Sequence, residues 1–336
     1  MKIKNKDISN KIFIIAEIGN NHEGDTDIAR RLIDEAVDAG VDAVKFQTFV
    51  PDEYVSADQV DRKAMLKKFQ LSYAEFSELA DYATQKGVIF MSTPFDEGSA
   101  NALNKFVPAF KIASCDVTFY SLLETVAKTG KPIVMSTGAA SEAEVLASCK
   151  YIESCWEKEG IKNPGLALLH CVSSYPTPED EANLKAIQTL AETGYISGYS
   201  DHTLGIDAAV LSVGLGARII EKHFTVDKNY SDFRDHQLSA DPEELKLMVR
   251  KIRSAEALLG SGEIDVADCE FANRDLIRRS AAARGDIAAG EEITADILRW
   301  VRPGTGITPA QVENILGKKA AKDLKDGELI TAEDLI

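Results

Sequence analysis

Short, almost wholly apolar runs alternate along the chain with longer stretches in which apolar residues recur every three or four positions. The runs are Ile12–Ile18, Ala43–Phe49, Val88–Thr93, Ala109–Ala113, Pro132–Thr137, Leu166–Val172, Ile196–Ser200 and Arg218–Phe224. Each is the length of a strand and apolar enough to be buried on both faces, as in a parallel sheet. Between them, Ile28–Ala39, Tyr73–Lys86, Glu142–Lys158 and Ala182–Thr193 carry the apolar stripe of a surface helix, and Glu243–Leu259 predicts a last one. Eight strands alternating with helices over about 250 residues predict an α/β fold, a TIM (β/α)8 barrel over residues 1–260. A doubly wound open sheet is the competing topology, but no G-x-G-x-x-G turn is present and the repeat is regular. The alternation then stops. Gly260-Ser261-Gly262 leads into a polar linker over 261–277. From Arg278-Arg279-Ser280 onward the texture changes to short apolar segments and turns, such as Gly285-Asp286, Arg302-Pro303-Gly304 and Asp326-Gly327-Glu328. This predicts a small, mostly β domain over 278–336.

Length and composition narrow the function. The chain has 336 residues, enough for one large and one small domain, and 45% of them are apolar against 27% charged, as in a soluble globular protein. A net charge of −16 argues against a general nucleic-acid binder, which needs a basic face, but not against a small anionic substrate held by a few local cations. No apolar run is long enough to span a bilayer. Met1-Lys2-Ile3-Lys4 does not open an apolar signal segment, so a cytoplasmic enzyme without membrane contact is expected. Cys115, Cys149, Cys155, Cys171 and Cys269 are odd in number and show no C-x-x-C spacing, which suits reduced thiols.

Several buried strands carry ionisable residues near their C-terminal ends: Glu17, Lys45, Lys111, Glu221 and His223. Lysine is rarely buried without a partner, so Lys45 and Lys111 need a reason to be there. One lysine alone would be read as paired with a carboxylate such as Glu17, or as snorkelling out of the barrel end. Two, accompanied by hydroxyls at Thr93, Ser114, Ser136 and Ser200, point to an anion pocket, with charge from the amines and directional donors from the hydroxyls. Active sites of such barrels lie at this end.

Two of the five histidines, His202 and His223, end consecutive apolar runs. Neighbouring parallel strands open on the same face, so the pair suits a divalent metal with positions left for water and substrate. The plainer alternative is two core imidazoles hydrogen-bonded by Asp201 and Glu221. His22, His170 and His236 are weaker candidates.

In this order along the chain, the segments Ile15-Ala16-Glu17-Ile18-Gly19-Asn20-Asn21-His22-Glu23-Gly24, Val44-Lys45-Phe46-Gln47-Thr48, Ser92-Thr93-Pro94-Phe95-Asp96 and Lys111-Ile112-Ala113-Ser114 are followed by Ser136-Thr137-Gly138 and Leu169-His170-Cys171. Then come Tyr175-Pro176-Thr177-Pro178, Ser200-Asp201-His202-Thr203 and Glu221-Lys222-His223-Phe224-Thr225. Together they resemble the sialic acid (N-acetylneuraminate) synthase family over nearly the whole length. The resemblance implies condensation of phosphoenolpyruvate with the open-chain aldehyde of an N-acyl amino sugar, N-acetylmannosamine or a relative, with release of phosphate. It implies that Lys45, Thr93, Lys111, Ser114, Ser136 and Ser200, with Ser173, hold phosphoenolpyruvate. Gln47, Tyr175, Asp235 and Arg302 would face the sugar, and His202 and His223 would ligate manganese or magnesium. Glu17, Asp116 and Glu221 are the carboxylates that could steady a cation at the former enol carbon and guide water to it. The small domain resembles the family's antifreeze-like (SAF) module, whose Arg302 would reach the partner's barrel in a domain-swapped homodimer.

Three departures from the family pattern fall at or near the sugar end. Asp116 stands where relatives carry glutamate, and Ser173 where sialic acid synthases often carry asparagine. The loop Asp227–His236 lacks the usual Pro-Gly-Pro-Asp, so Asp235 is the best match for its aspartate and Asp232 an alternative. Rival readings are an octulosonate- or heptulosonate-type phosphoenolpyruvate–aldose synthase, a Schiff-base aldolase using Lys45 or Lys111, and a carbohydrate- or ice-binding protein without catalysis.

Overall fold

The computed structural model describes residues 1–9 and 11–336. A two-stranded N-terminal hairpin, β1 (Lys2–Ile3) and β2 (Lys6–Asp7), precedes eight parallel strands: β3 (Phe13–Gly19), β4 (Ala43–Thr48), β5 (Ile89–Pro94), β6 (Phe110–Ile112), β7 (Ile133–Ser136), β8 (Leu166–His170), β9 (Ile196–Asp201) and β10 (Ile219–His223). Their order, β5-β4-β3-β10-β9-β8-β7-β6, is cyclic in sequence, with β3 paired to β10, so the sheet curls into a barrel. β5 and β6 lie side by side across the one seam that lacks a ladder. All eight strands expected from the sequence are present, within two residues of the expected ends.

Alternation along each strand makes two layers. Phe13, Ile15, Ala43, Ile89, Met91, Val134, Ala167, Leu169 and Ile219 fill the barrel, while Ile14, Ala16, Val44, Phe46, Phe90, Ile133, Leu168 and Ile220 pack outward under the helices. Ile3 and Ile8 of the N-terminal segment join the inner cluster beside the strand starts. Continuing the inward register toward the C-terminal ends replaces these apolar residues by Glu17, Lys45, Lys111, Ser136, Ser200, Glu221 and His223. The inner layer therefore turns from apolar to polar along the barrel axis, and that change of character defines the site.

The helices start where local chemistry lets them. Asp25 accepts from the amides of Asp27 and Ile28 to open Thr26–Ala39, which ends at Gly40 in the left-handed region at φ 84°. Capping boxes Ser72/Glu75, Ser141/Glu144 and Asp241/Glu244 open Tyr73–Gln85, Glu142–Lys158 and Pro242–Leu259. The helix expected over Ala182–Thr193 is shorter, Ala186–Glu192. Asn183 sits at φ 44°, which a right-handed helix does not admit, and a 3-10 turn at Glu179–Glu181 precedes it.

The chain divides into two compact units, Met1–Gly260 and Ser261–Ile336. In the second unit β11 (Ser280–Ala283) pairs antiparallel with β12 (Leu298–Val301), around a core that includes Ala281, Ile287, Ile293, Leu298, Leu324 and Ile330. Regular β structure is confined to this pair and isolated bridges, with 3-10 turns between. The stretch expected as a linker carries a short helix, Phe271–Ile277, with no buried residue. Each unit has a hydrophobic core of its own. Deleting residues 261–336 should therefore leave a barrel that melts cooperatively and keeps the near-ultraviolet circular dichroism of its buried aromatics. Loss of a cooperative transition would show that the barrel depends on the second unit for folding.

Candidate active site at the C-terminal end of the barrel

All eight barrel strands deliver a polar side chain to one cavity, either from the strand itself or, for β8 with Cys171, from the residue just past its end. It is lined by Glu17, Lys45, Gln47, Thr93, Lys111, Ser114, Ser136, Cys171, Tyr175, Ser200, His202, Glu221 and His223, with Phe95 and Ala113. Strand register sets the neighbours: Glu17 lies opposite Lys45, Gln47 opposite Thr93, Glu221 opposite Ser200 and His223 opposite Glu17. Gly198 makes room inside the barrel, since a Cβ there would sit 2.3 Å from the Ile219 carbonyl oxygen.

The two lysines are both buried but not equally compensated. Lys45 Nζ lies 2.6 Å from Glu17 Oε2 and donates to Thr93 Oγ1 at 3.0 Å, with Glu221 Oε2 at 3.8 Å. Lys111 Nζ donates to Ser136 Oγ at 2.7 Å and to the Ile112 carbonyl at 3.1 Å, both neutral, while its nearest carboxylate oxygen, Glu221 Oε1, is 3.7 Å away. Burial pulls the Lys111 amine below its ordinary value, against the pull of Glu221. An amine without a tight counter-ion in a buried cavity is a receptor for an anion.

The two carboxylates differ in protonation. Burial raises Glu17 to about 7; Lys45 opposes this and the charge of Glu221 adds to it. Burial would raise Glu221 as well, but Lys111, Lys45 and the hydroxyl of Ser200, which donates to Oε1 at 2.9 Å, outweigh it and hold the group below the ordinary range. Near neutral pH the cavity thus holds one firmly ionised carboxylate and one poised to take or release a proton. Gln47 Nε2 donates to Glu17 Oε1 at 3.1 Å, and Asn20 in turn holds Gln47 Oε1 at 2.9 Å.

Ser114, Cys171 and Ser173 converge on the Gly138 backbone. Gly138 N–H donates to Ser114 Oγ, Cys171 Sγ is 3.1 Å from the same oxygen, and a Cβ on Gly138 would lie 2.5 Å from Ser173 Oγ. These donors form a concave cradle beside Lys111. Ser173 sits at its exposed rim.

His202 and His223 face each other with ring centroids 5.4 Å apart, and Tyr175 stacks 4.3 Å from His202. His202 Nδ1 lies 2.7 Å from the Val172 carbonyl, which makes Nδ1 a protonated nitrogen and Nε2 the one left for a cation. Burial would lower this imidazole, but the Cys171 thiol, the Val172 carbonyl and the charge of Glu221 outweigh it and hold the ring above its ordinary value. His223 Nδ1 is buried with no partner. Burial and the nearby cations keep His223 neutral, well below its ordinary value. Two imidazoles bonded to one cation at about 2.0–2.2 Å have centroids within about 6 Å, so the pair fits a shared metal. Among the described residues no third His, Cys, Asp or Glu completes a cluster with them.

Gln47 also lines a larger cavity of about 840 Å³, within the range of small-molecule sites. Asp235 and Asp232 both line it, with Arg62, Phe233 and Arg234; the Arg234 guanidinium lies 5.1 Å from the Tyr175 ring centre. Burial raises the Asp235 carboxyl. Asp235, the expected aspartate of the sugar loop, and its alternative Asp232 therefore border the same cavity. Asp116 is not among the residues lining either cavity. It ends the 3-10 turn Ser114–Asp116, with Oδ2 buried and unpartnered and its acid raised to about 6 by burial. Arg302 is an exposed residue of the second unit, following β12. Sequence reasoning missed Cys171, although the inward alternation Ala167, Leu169, Cys171 carried the signal. It also missed Asn20, in the turn after β3, and Arg234, which opens the five-residue helix Arg234–Leu238; neither lies on a stretch long enough to show periodicity.

Residues 32–264 match the NeuB family and residues 278–336 the SAF domain. The N,N'-diacetyllegionaminic acid synthase of Legionella pneumophila is 40% identical, over 99% of this chain and 97% of its own. A pseudaminic acid synthase of Campylobacter jejuni is 36% identical over 99% of both chains. The crystal structure of an N-acetylneuraminic acid (sialic acid) synthetase from Leptospira borgpetersenii in complex with citrate superposes with a TM-score of 0.76 at 38% identity, covering 81% of this chain and 94% of that one. With a family model matching most of its length and relatives named as legionaminic and pseudaminic acid synthases aligned nearly end to end, this chain belongs to the NeuB family and carries a C-terminal SAF domain.

Proposed function

We propose that the barrel condenses phosphoenolpyruvate with the open-chain aldehyde of an N-acyl amino sugar, yielding a nonulosonate and inorganic phosphate. The observation that carries this reading is the buried Lys111 amine, held by neutral oxygens, in one cavity with Lys45, a ring of hydroxyls and a histidine pair. Lys45 and Lys111, with Thr93, Ser114 and Ser136, bind the carboxylate and phosphate of phosphoenolpyruvate. His202 and His223 would hold a divalent cation, which supplies Lewis acidity toward an aldehyde oxygen when bound. The methylene carbon of phosphoenolpyruvate bonds to the aldehyde carbon, and positive charge develops at the former enol carbon. Glu221, ionised between the lysines, steadies that charge. Water then adds there, its proton passing to the Glu17 carboxylate. The adduct expels phosphate by breaking the carbon–oxygen bond, its hydroxyl proton leaving with the phosphate to give a ketone, and the proton taken up by Glu17 passes to the former aldehyde oxygen, which becomes a hydroxyl. Gln47, Tyr175 and Asp235 line the route to the larger cavity, where the N-acyl sugar is oriented.

A Schiff-base aldolase is the rival that the lysines would serve. Product formation should stop in chelator, and borohydride added during turnover should leave the protein mass unchanged. Activity in chelator together with a borohydride-trapped adduct on Lys45 or Lys111 would reverse the assignment.

The protonation of Glu17 gives a further expectation. Ionising Glu17 places a second negative charge on Lys45 and competes with a bound anion. Affinity for sulfate, which does not itself titrate in this range, should therefore fall as pH rises through about 7, and Glu17→Gln should flatten that part of the profile. Folding follows the same sign. The native state holds the Glu17 proton between about 4.5 and about 7 while the unfolded chain has released it, so the contribution to stability is present at low pH and lost across that window. Calorimetric sulfate binding from pH 6 to pH 8 checks it, and an identical slope in Glu17→Gln would assign the pH dependence to another group.

A further inference from the structure

Immediately before each metal-site histidine stands a residue of opposite charge, and the two meet. Asp201 on β9 and Lys222 on β10 are register partners on the outward face of the sheet, and both side chains are completely buried. Lys222 Nζ donates to Asp201 Oδ2 at 2.9 Å and to the Thr203 carbonyl at 2.5 Å. Asp201 Oδ1 accepts from both the amide and the hydroxyl of Thr203 at 2.8 Å. The pair thus grips the backbone on both sides of His202 from the strand that ends in His223.

This grip lies where the sheet itself gives out. The β9–β10 ladder ends at the Asp201–Lys222 pairing, and His223 is paired instead with Glu17 on β3. No ladder bond therefore fixes His202 relative to His223. A buried ion pair is also an expensive way to hold two strands together, since apolar residues of equal volume usually do as well or better. Its placement gives it a purpose that packing alone would not.

We propose that Asp201 and Lys222 are positioning residues that set the spacing and orientation of His202 relative to His223, and so the geometry of the cation site. The inference rests on the reading of those histidines as metal ligands. It concerns residues that touch neither cation nor substrate, facing away from the cavity toward the helical layer.

The test uses the full-length protein and cobalt(II), whose visible d–d absorption reports ligand geometry. Lys222→Met alone strands a buried carboxylate, so the informative variant is Asp201→Asn/Lys222→Met, which removes both charges and keeps an acceptor for Thr203. It should bind cobalt at least tenfold more weakly than wild type, the scale at which metal affinity responds to loss of outer-shell partners, and its d–d bands should shift. Sulfate affinity in chelated protein should not change, because Lys45 and Lys111 are untouched; general collapse of the barrel end would lower it too. Should the double variant fail to fold, Asp201→Asn decides on the same two readouts, with a weakened and spectrally shifted site expected. A folded variant with wild-type cobalt affinity and an unshifted spectrum overturns the positioning role. Wild-type protein that binds no cobalt overturns the metal reading itself, and this inference with it.

Discussion

Replacing His202 or His223 with alanine should abolish turnover while leaving the barrel folded. Loss of an outer-shell partner of a metal ligand already costs about 10–100-fold. With two protein ligands available, removing one should lower kcat by more than about 100-fold and remove measurable binding of manganese or cobalt. The fold should survive, because both rings border a cavity and His223 leaves Nδ1 without a partner. Steady-state rates with added manganese, set beside calorimetric metal titration, check both halves. Near-wild-type rates from either variant in metal-free buffer would remove the histidines from the chemistry.

Lys45→Met and Lys111→Met should act on phosphoenolpyruvate rather than on the sugar. Each removes a buried cation facing the substrate's anions, and breaking such a pair costs roughly 2–5 kcal/mol, or about 30- to 5,000-fold in affinity. The two should differ in side effects. Lys45→Met strips Glu17 of a contact at 2.6 Å, and that carboxyl can respond by staying protonated. Lys111→Met removes a donor to the neutral Ser136 hydroxyl and Ile112 carbonyl and a 3.7 Å neighbour of Glu221, which keeps Lys45 nearby and its bond from Ser200. The Lys111 variant is thus the cleaner probe and should melt closer to wild type. Titration of phosphoenolpyruvate into chelated protein gives the affinities directly, and an unchanged dissociation constant in both variants would refute the anion pocket.

Much of this site was legible in the sequence because strand alternation has period two. Ala43, Lys45 and Gln47 fall on one face of a run that is otherwise apolar, and a charged residue on an inward-facing position near a barrel strand's C-terminal end has few explanations other than chemistry. The same reasoning extended to Ala167, Leu169 and Cys171 would have placed the thiol in the cavity as well. Loops gave no such register. Asp232 and Asp235 could not be ranked from sequence, and the structure puts both on the larger cavity. Asp116, expected among the carboxylates near the enol carbon, lies buried in the 3-10 turn after β6 and lines neither cavity. The helix start at Ala186 was missed for a related reason: apolar spacing continues through Ala182, but Asn183 in a left-handed conformation interrupts the backbone. The Asp201–Lys222 pair was hidden because it faces the helical layer, where charged residues in a strand look like errors of register until their partner is seen.

The proposed condensation is decided by following phosphoenolpyruvate in the presence of a panel of N-acyl and di-N-acyl hexosamines, measuring phosphate and 2-keto acid together. Phosphate and a new, longer-chain 2-keto acid should appear in equal amounts, only when an accepted amino sugar and a divalent metal are both present. Phosphate released without a sugar, or a panel in which no sugar yields a 2-keto acid while the protein still binds phosphoenolpyruvate and metal, would contradict it.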